Sequence, residues 1–204
     1  MRIAGLLLAG GRSRRFGSEK SVAPFGAGLL MDLPLAALNA VCGRVAVSVR
    51  QGSGAEAHAA VLGLPRLIDA SDDPEGPLAG IRRGIDWAEE TGFDWLAVAP
   101  CDAPTLKPAQ YEMLMRAIDD GAPAALGVTD QGLEPLVSVW PVVGGRRALA
   151  EALAGRTHPA IRTVLQTMGA ATVRLQGYDG RNVNAPEDLP SLTSSSGARC
   201  PPSP

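Results

Sequence analysis

The chain has 204 residues, 46% of them hydrophobic and 20% charged, enough for one compact domain with a sizeable core. Its formal net charge is −2, so no overall positive field gathers nucleic acid, and any anion must be held by a local group of cations. Cys42, Cys101 and Cys200 lie far apart with no CxxC, and His58 and His158 complete no metal-ligand spacing; this excludes a disulfide framework or zinc site and fits a reducing cytoplasm.

In chain order, short apolar runs bounded by turn residues read as strands. The first, Ile3–Leu8, is interrupted at Gly10-Gly11, too early for a signal segment, and no later run is long enough to span a bilayer. Met31–Val41 suits a helix, Val45–Val49 a strand, Ala55–Leu62 a helix and Leu67–Ile68 a short strand. Pro77–Glu90 is the clearest helix: Leu78, Ile81, Ile85 and Ala88 recur at helical spacing, and Gly92 follows as a stop. A strand at Trp95–Ala99 precedes a helix at Pro108–Asp120, whose Tyr111, Leu114, Met115 and Ile118 share one face. Strands at Ala124–Val128, Leu136–Trp140 and Thr172–Leu175 complete the pattern, with helices at Arg146–Ala154 and Ala160–Met168. Residues 1–191 are therefore expected to form a single domain. The closing TSSSGARCPPSP lacks periodic apolar residues, so residues 192–204 are expected to be a disordered tail.

Most of these strand runs are continuous rather than alternating, as in strands buried on both faces of a parallel sheet. Alternation with helices implies an α/β sandwich with a mainly parallel sheet. Right-handed crossovers then bring the loops that follow the strands to one edge, where ligands bind in such sheets.

The loop after the first strand reads Ala9-Gly10-Gly11-Arg12-Ser13-Arg14-Arg15-Phe16-Gly17-Ser18-Glu19-Lys20. Its glycines let backbone N–H groups approach an anion, and Arg12, Arg14, Arg15 and Lys20 add positive charge. It is not a Walker A loop, since Ser18-Glu19 separates Gly17 from the lysine, and G-x-G-x-x-G is absent too. A glycine turn with a solvated basic stretch is the plainer reading. Coincidence of backbone donors and charge at the ligand edge favours a phosphate cradle.

Leu8 to Lys20, as L-A-G-G-x-S-x-R-x-G-x-x-K, resembles the nucleotide-binding signature of the molybdenum cofactor guanylyltransferases and their relatives. Gly76-Pro77-Leu78-Ala79-Gly80-Ile81, Pro100-Cys101-Asp102-Ala103-Pro104 and Asn182-Val183-Asn184-Ala185-Pro186-Glu187-Asp188-Leu189 resemble further family segments, in the family's order. The resemblance implies a Rossmann-like three-layer α/β/α sandwich of the nucleotide-diphospho-sugar transferase type. It implies a cytoplasmic, Mg²⁺-dependent enzyme that moves GMP from GTP to the terminal phosphate of molybdopterin or molybdenum-molybdopterin, releasing pyrophosphate. Molybdoenzymes or cofactor-insertion proteins would receive the product, and neither nucleic acid nor membrane is an expected partner.

Residue by residue, the resemblance gives backbone contacts to the nucleotide at Leu8, Ala9, Gly10 and Gly11, and phosphate binding at Lys20. It assigns guanosine contact to Asp69 and Mg²⁺ to Asp102. Arg15 and Lys20 would neutralise the leaving pyrophosphate. Asp102 follows an apolar strand at the ligand edge; it can also begin a turn and cap the helix after Pro104, and the two roles are compatible. Gly80 serves either a flat surface for a base or pterin or helix-to-sheet packing, and Asn182 offers an amide to the pterin or its phosphate. Arg12 and Arg14 either face solvent or join the cradle; His158 and Arg162 are candidates for the acceptor side that nothing in the sequence settles, and Arg50 receives no role. The chain departs from the family at Glu19, where Asp is usual, at Phe16, at Ala185 and at Arg50. Gly10 leans the donor toward GTP rather than CTP. Transfer of CMP, transfer to a sugar phosphate or isoprenoid precursor, and a non-catalytic GTP-binding module are the rival readings.

Overall fold

The computed structural model describes residues 1–11, 16–68, 76–155 and 158–189. The expected tail, Arg12, Arg14, Arg15 and Asp69 lie outside these residues. The strands are β1 (Ile3–Leu8), β2 (Pro24–Phe25), β3 (Gly28–Leu29), β4 (Arg44–Val49), β5 (Arg66–Ile68), β6 (Trp95–Pro100), β7 (Ala125–Thr129), β8 (Gly132–Pro141) and β9 (Ala171–Arg174). The helices are α1 (Asp32–Asn39), α2 (Gly54–Val61), α3 (Pro77–Glu90), α4 (Pro108–Asp119), α5 (Val142–Leu153) and α6 (Ile161–Thr167). One sheet runs in the order β5-β4-β1-β6-β8-β7-β9, and β2 and β3 form a separate hairpin.

Continuous apolar strands feed two cores because successive side chains point to opposite faces. From β1, Ile3 and Leu7 join one core with Leu35 and Leu38 of α1, Ala55 and Ala59 of α2, and Tyr111 and Leu114 of α4. Ala4 and Leu6 join the other with Ile81 and Ile85 of α3, Leu149 of α5, and Val164 and Leu165 of α6. The expected three-layer sandwich is thus formed. Each fully buried Leu or Ile is worth about 1.5–3 kcal/mol. α3 lies unusually close to the sheet: a Cβ on Gly84 would come within 2.6 Å of Leu6. Among the described residues no helix is long and apolar enough to cross a membrane.

The sheet is parallel from β5 to β6, and β7 and β9 also pair in parallel. The exception is β8, antiparallel to both β6 and β7. It begins earlier than the Leu136–Trp140 run implies, because Thr129 and Gly132 close a tight hairpin. Pro135 sits inside β8 where the ladder is interrupted: Leu126 pairs with Ser138, but the next residue, Gly127, pairs with Glu134. Residues 135–137 bulge out, so the missing proline N–H goes unneeded. The helix expected at Arg146–Ala154 starts at Val142, its first turn disguised by Gly144-Gly145. Gly145 is needed there for packing, since a Cβ would lie 2.7 Å from Ile85.

Candidate active site at the carboxyl edge of the sheet

β1 sits between β4 and β6, with Leu8 in register with Ser48 and Pro100. Beyond it the chain stays clamped: the Ala9 N–H donates to the Ser48 carbonyl at 2.9 Å, and the Cys101 N–H to the Leu8 carbonyl at 3.2 Å. The glycine loop therefore departs from the centre of the edge. Gly10 is half-buried and Gly11 exposed, with nothing within 4 Å of the place a Gly11 side chain would take. Gly80, at the start of α3, faces the same point from below: a Cβ there would lie 2.7 Å from Ser48 Oγ and 3.0 Å from Leu8. Close helix-to-sheet approach alone demands glycine here.

The loop returns through Phe16, buried with Ala23, Leu30 and Val183 in a small third core. A 3-10 turn, Lys20–Val22, then presents Lys20. Glu19 fixes that turn from outside. Its carboxylate accepts the Gly54 N–H at 2.7 Å, the Ala55 N–H at 2.9 Å and the Ser21 hydroxyl at 3.2 Å. These are the first amides of α2, which its own turns cannot satisfy and which favour negative charge. The glutamate that departs from the usual aspartate thus ties the loop to a neighbouring helix.

Lys20 reaches across the edge to form an ion pair with Asp102, and both side chains are about five-sixths enclosed. Asp102 follows β6, and its carbonyl accepts the Val183 N–H at 2.9 Å. That bond draws the segment around Asn182 to the same place. The Asn182 Oδ1 atom is buried without a hydrogen bond among the described residues. Asn184 is exposed and donates to the Asn182 carbonyl at 3.3 Å, while Asp188 accepts the Asn184 and Ala185 N–H groups at 2.8 and 2.9 Å. Those two backbone bonds hold the Asp188 carboxyl below its usual range.

Two further residues that the sequence reading passed over lie near Asp102. Glu134 comes from the bulged start of β8, and burial raises its carboxyl against a hydrogen bond from Thr129, with repulsion by Asp102 adding to the rise. Tyr178 is 4% exposed, and its hydroxyl finds no hydrogen bond among the described residues. Burial raises it, helped by the nearby charges of Glu134 and Asp102. Burial pushes the thiol of Cys101, next to Asp102, up to about 12.

Exposed His158 and Arg162 line a cavity of about 470 Å³ together with Pro77, Leu78, Pro135 and Leu136. The cavity therefore spans from the start of α3 to the β8 bulge. Arg50 is exposed just past β4.

At this edge Lys20 offers a cation of the kind that pairs with phosphate, and Asp102 a carboxylate of the kind that binds hard cations. The chain is 32% identical to the molybdenum cofactor guanylyltransferase of Cereibacter sphaeroides over 205 residues, covering 93% of this chain and 94% of the relative. It is 31% identical to that of Mesorhizobium japonicum, covering 92% of each. The crystal structure of molybdopterin-guanine dinucleotide biosynthesis protein A from Archaeoglobus fulgidus superposes with a TM-score of 0.75 at 20% identity, over 94% of this chain and 99% of that one. The profile of the MobA-like NTP transferase domain matches residues 5–173, and the chain belongs to that family.

Proposed function

We propose that the protein transfers GMP from GTP to the terminal phosphate of molybdopterin. An oxygen of the acceptor phosphate attacks the α-phosphorus of GTP; the new P–O bond forms as the bond to the β-phosphate oxygen breaks, and pyrophosphate leaves. Attacker and target are both anionic, so charge neutralisation and positioning dominate the barrier. The observation that carries this reading is the meeting of Lys20 and Asp102, 82 residues apart in sequence, at the one edge where the glycine loop also emerges.

Lys20 holds a phosphate oxygen, and a cation about 4 Å from such a charge is worth about 4 kcal/mol at an effective dielectric near 20. Arg15, in the same loop, takes charge on the leaving pyrophosphate. The backbone of Leu8, Ala9, Gly10 and Gly11 lies along the nucleotide, and Asp69 accepts from the guanosine. Asp102 and the unpartnered Asn182 oxygen suit a divalent cation, so the residues fit Mg²⁺. When bound, Mg²⁺ supplies charge neutralisation to the phosphates. The cavity beside Arg162 and His158 accepts the pterin end of the acceptor, with Leu78 and Leu136 against its ring faces.

Incubation of the protein with molybdopterin, Mg²⁺ and GTP, CTP or ATP, followed by mass analysis of the pterin, tests the reading. A GMP-bearing product formed with GTP and Mg²⁺ is expected. A CMP product would keep the mechanism and overturn the base; GTP binding without transfer would favour a binding module.

A further inference from the structure

We propose that Glu134 is the second carboxylate of a divalent-cation seat whose other oxygens come from Asp102, Asn182 and Tyr178. The proposal rests on the reading of Asp102 as a metal-binding residue and extends it to the start of β8.

The segment from Gly180 to Val183 joins the two carboxylates. At one end Gly180, with φ +71°, lies flat against Glu134: a Cβ there would stand 2.7 Å from Glu134 Oε1 and from Thr129 Oγ1. Only glycine combines that left-handed backbone with that clearance. At the other end the Val183 N–H is bonded to the Asp102 carbonyl. Asn182 lies between, with Oδ1 inaccessible to solvent and without a hydrogen bond among the described residues. Tyr178 enters from the adjoining core, 4% exposed, its hydroxyl likewise without a hydrogen bond among the described residues.

The chemistry of the set is one-sided. Two carboxylates and the Asn182 carbonyl accept hydrogen bonds, and only the Tyr178 hydroxyl and the Asn182 amide N–H groups among the four side chains can donate. Asp102 has Lys20 and Glu134 has Thr129 at 3.5 Å, but Asn182 Oδ1 and the Tyr178 hydroxyl are left without partners among the described residues; buried oxygens so placed are costly, and a hard cation satisfies them together with the carboxylates. Among the described residues no three carboxylate, histidine or cysteine side chains converge. The seat therefore offers few charged ligands and leaves positions for water or phosphate, as magnesium requires. The β8 bulge explains how Glu134 arrives: three extra residues in one strand re-aim the side chain before them.

The test is Mn²⁺ binding to the full chain without nucleotide, read as loss of the free-ion electron paramagnetic resonance signal. Glu134→Gln and Asn182→Ala are each expected to weaken binding about tenfold or more. Mn²⁺ should also raise the melting temperature of the parent but not of E134Q, which checks that a folded variant has lost the site. Parent-like Mn²⁺ affinity in E134Q, with binding lost in D102N, overturns this inference and spares the role of Asp102. Parent-like affinity in D102N overturns both.

Discussion

The two wings of the sheet reach the site by opposite routes. In the parallel wing, β5-β4-β1-β6, strands deliver residues at their ends, and the glycine loop and Asp102 both follow an apolar run. In the mixed wing, β8 runs the other way, so its beginning meets the edge and Glu134 is delivered before the apolar run. Topology alone places loops after parallel strands at the ligand edge. An antiparallel strand needs a turn and a bulge to do the same.

Four measurements sharpen or break this contrast. The largest effect is expected at the seam between the wings: Asp102→Asn should lower Mg²⁺-dependent transfer about a thousandfold, since a cation site supplies several kcal/mol to phosphoryl chemistry. Near-normal turnover would remove Asp102 from the chemistry. Next, Lys20→Ala should weaken GTP binding about 10- to 100-fold, the worth of a charge-assisted contact, while guanosine binding changes little. Equal losses for the two ligands, measured by calorimetry, would show that the loop holds something other than phosphate.

Glu19→Ala should follow, with kcat/KM for GTP down about tenfold and the cost concentrated in nucleotide affinity, because the turn carrying Lys20 loses its tie to α2. Glu19→Gln should recover part of it by keeping one acceptor. A variant with unaltered kinetics would mean that the loop is seated by the Phe16 core alone.

The smallest effect belongs to the mixed wing and is one of stability. Glu134 releases its proton less readily folded than unfolded, so its ionisation costs stability above the unfolded value of about 4.3. With metal chelated, E134Q should melt above the parent at neutral pH, and the gap should close as pH falls below that value. A gap that persists in acid would mean that neither burial nor repulsion by Asp102 is its cause.

What could be read from the residues follows the same division. Continuous runs such as Ile3–Leu8 and Trp95–Ala99 announce doubly covered strands; Asp102 is visible as a charged residue just past the second, and Lys20 at the end of the glycine loop after the first. Glu134 was hidden because Pro135 reads as a strand breaker, which pushed the expected start of β8 to Leu136. The signal that reveals it is Asp130-Gln131-Gly132 between two apolar runs, since a hairpin reverses the next strand. Tyr178 was hidden because its loop carries no periodicity. The anchoring by Glu19 joins residues 35 and 36 positions apart, a distance no local pattern spans.

That anchor has a consequence for watching the enzyme at work. The Gly54 and Ala55 amides are shielded by a side chain from another part of the chain, while Ser53 and Glu56 close the neighbouring amides of α2 locally. Deuterium uptake at Gly54 and Ala55 therefore reports on the seating of the loop, whereas uptake at Glu56 reports on the helix itself. Comparing the two gives an internal clock for nucleotide arrival, read at a helix that carries none of the residues assigned to the reaction.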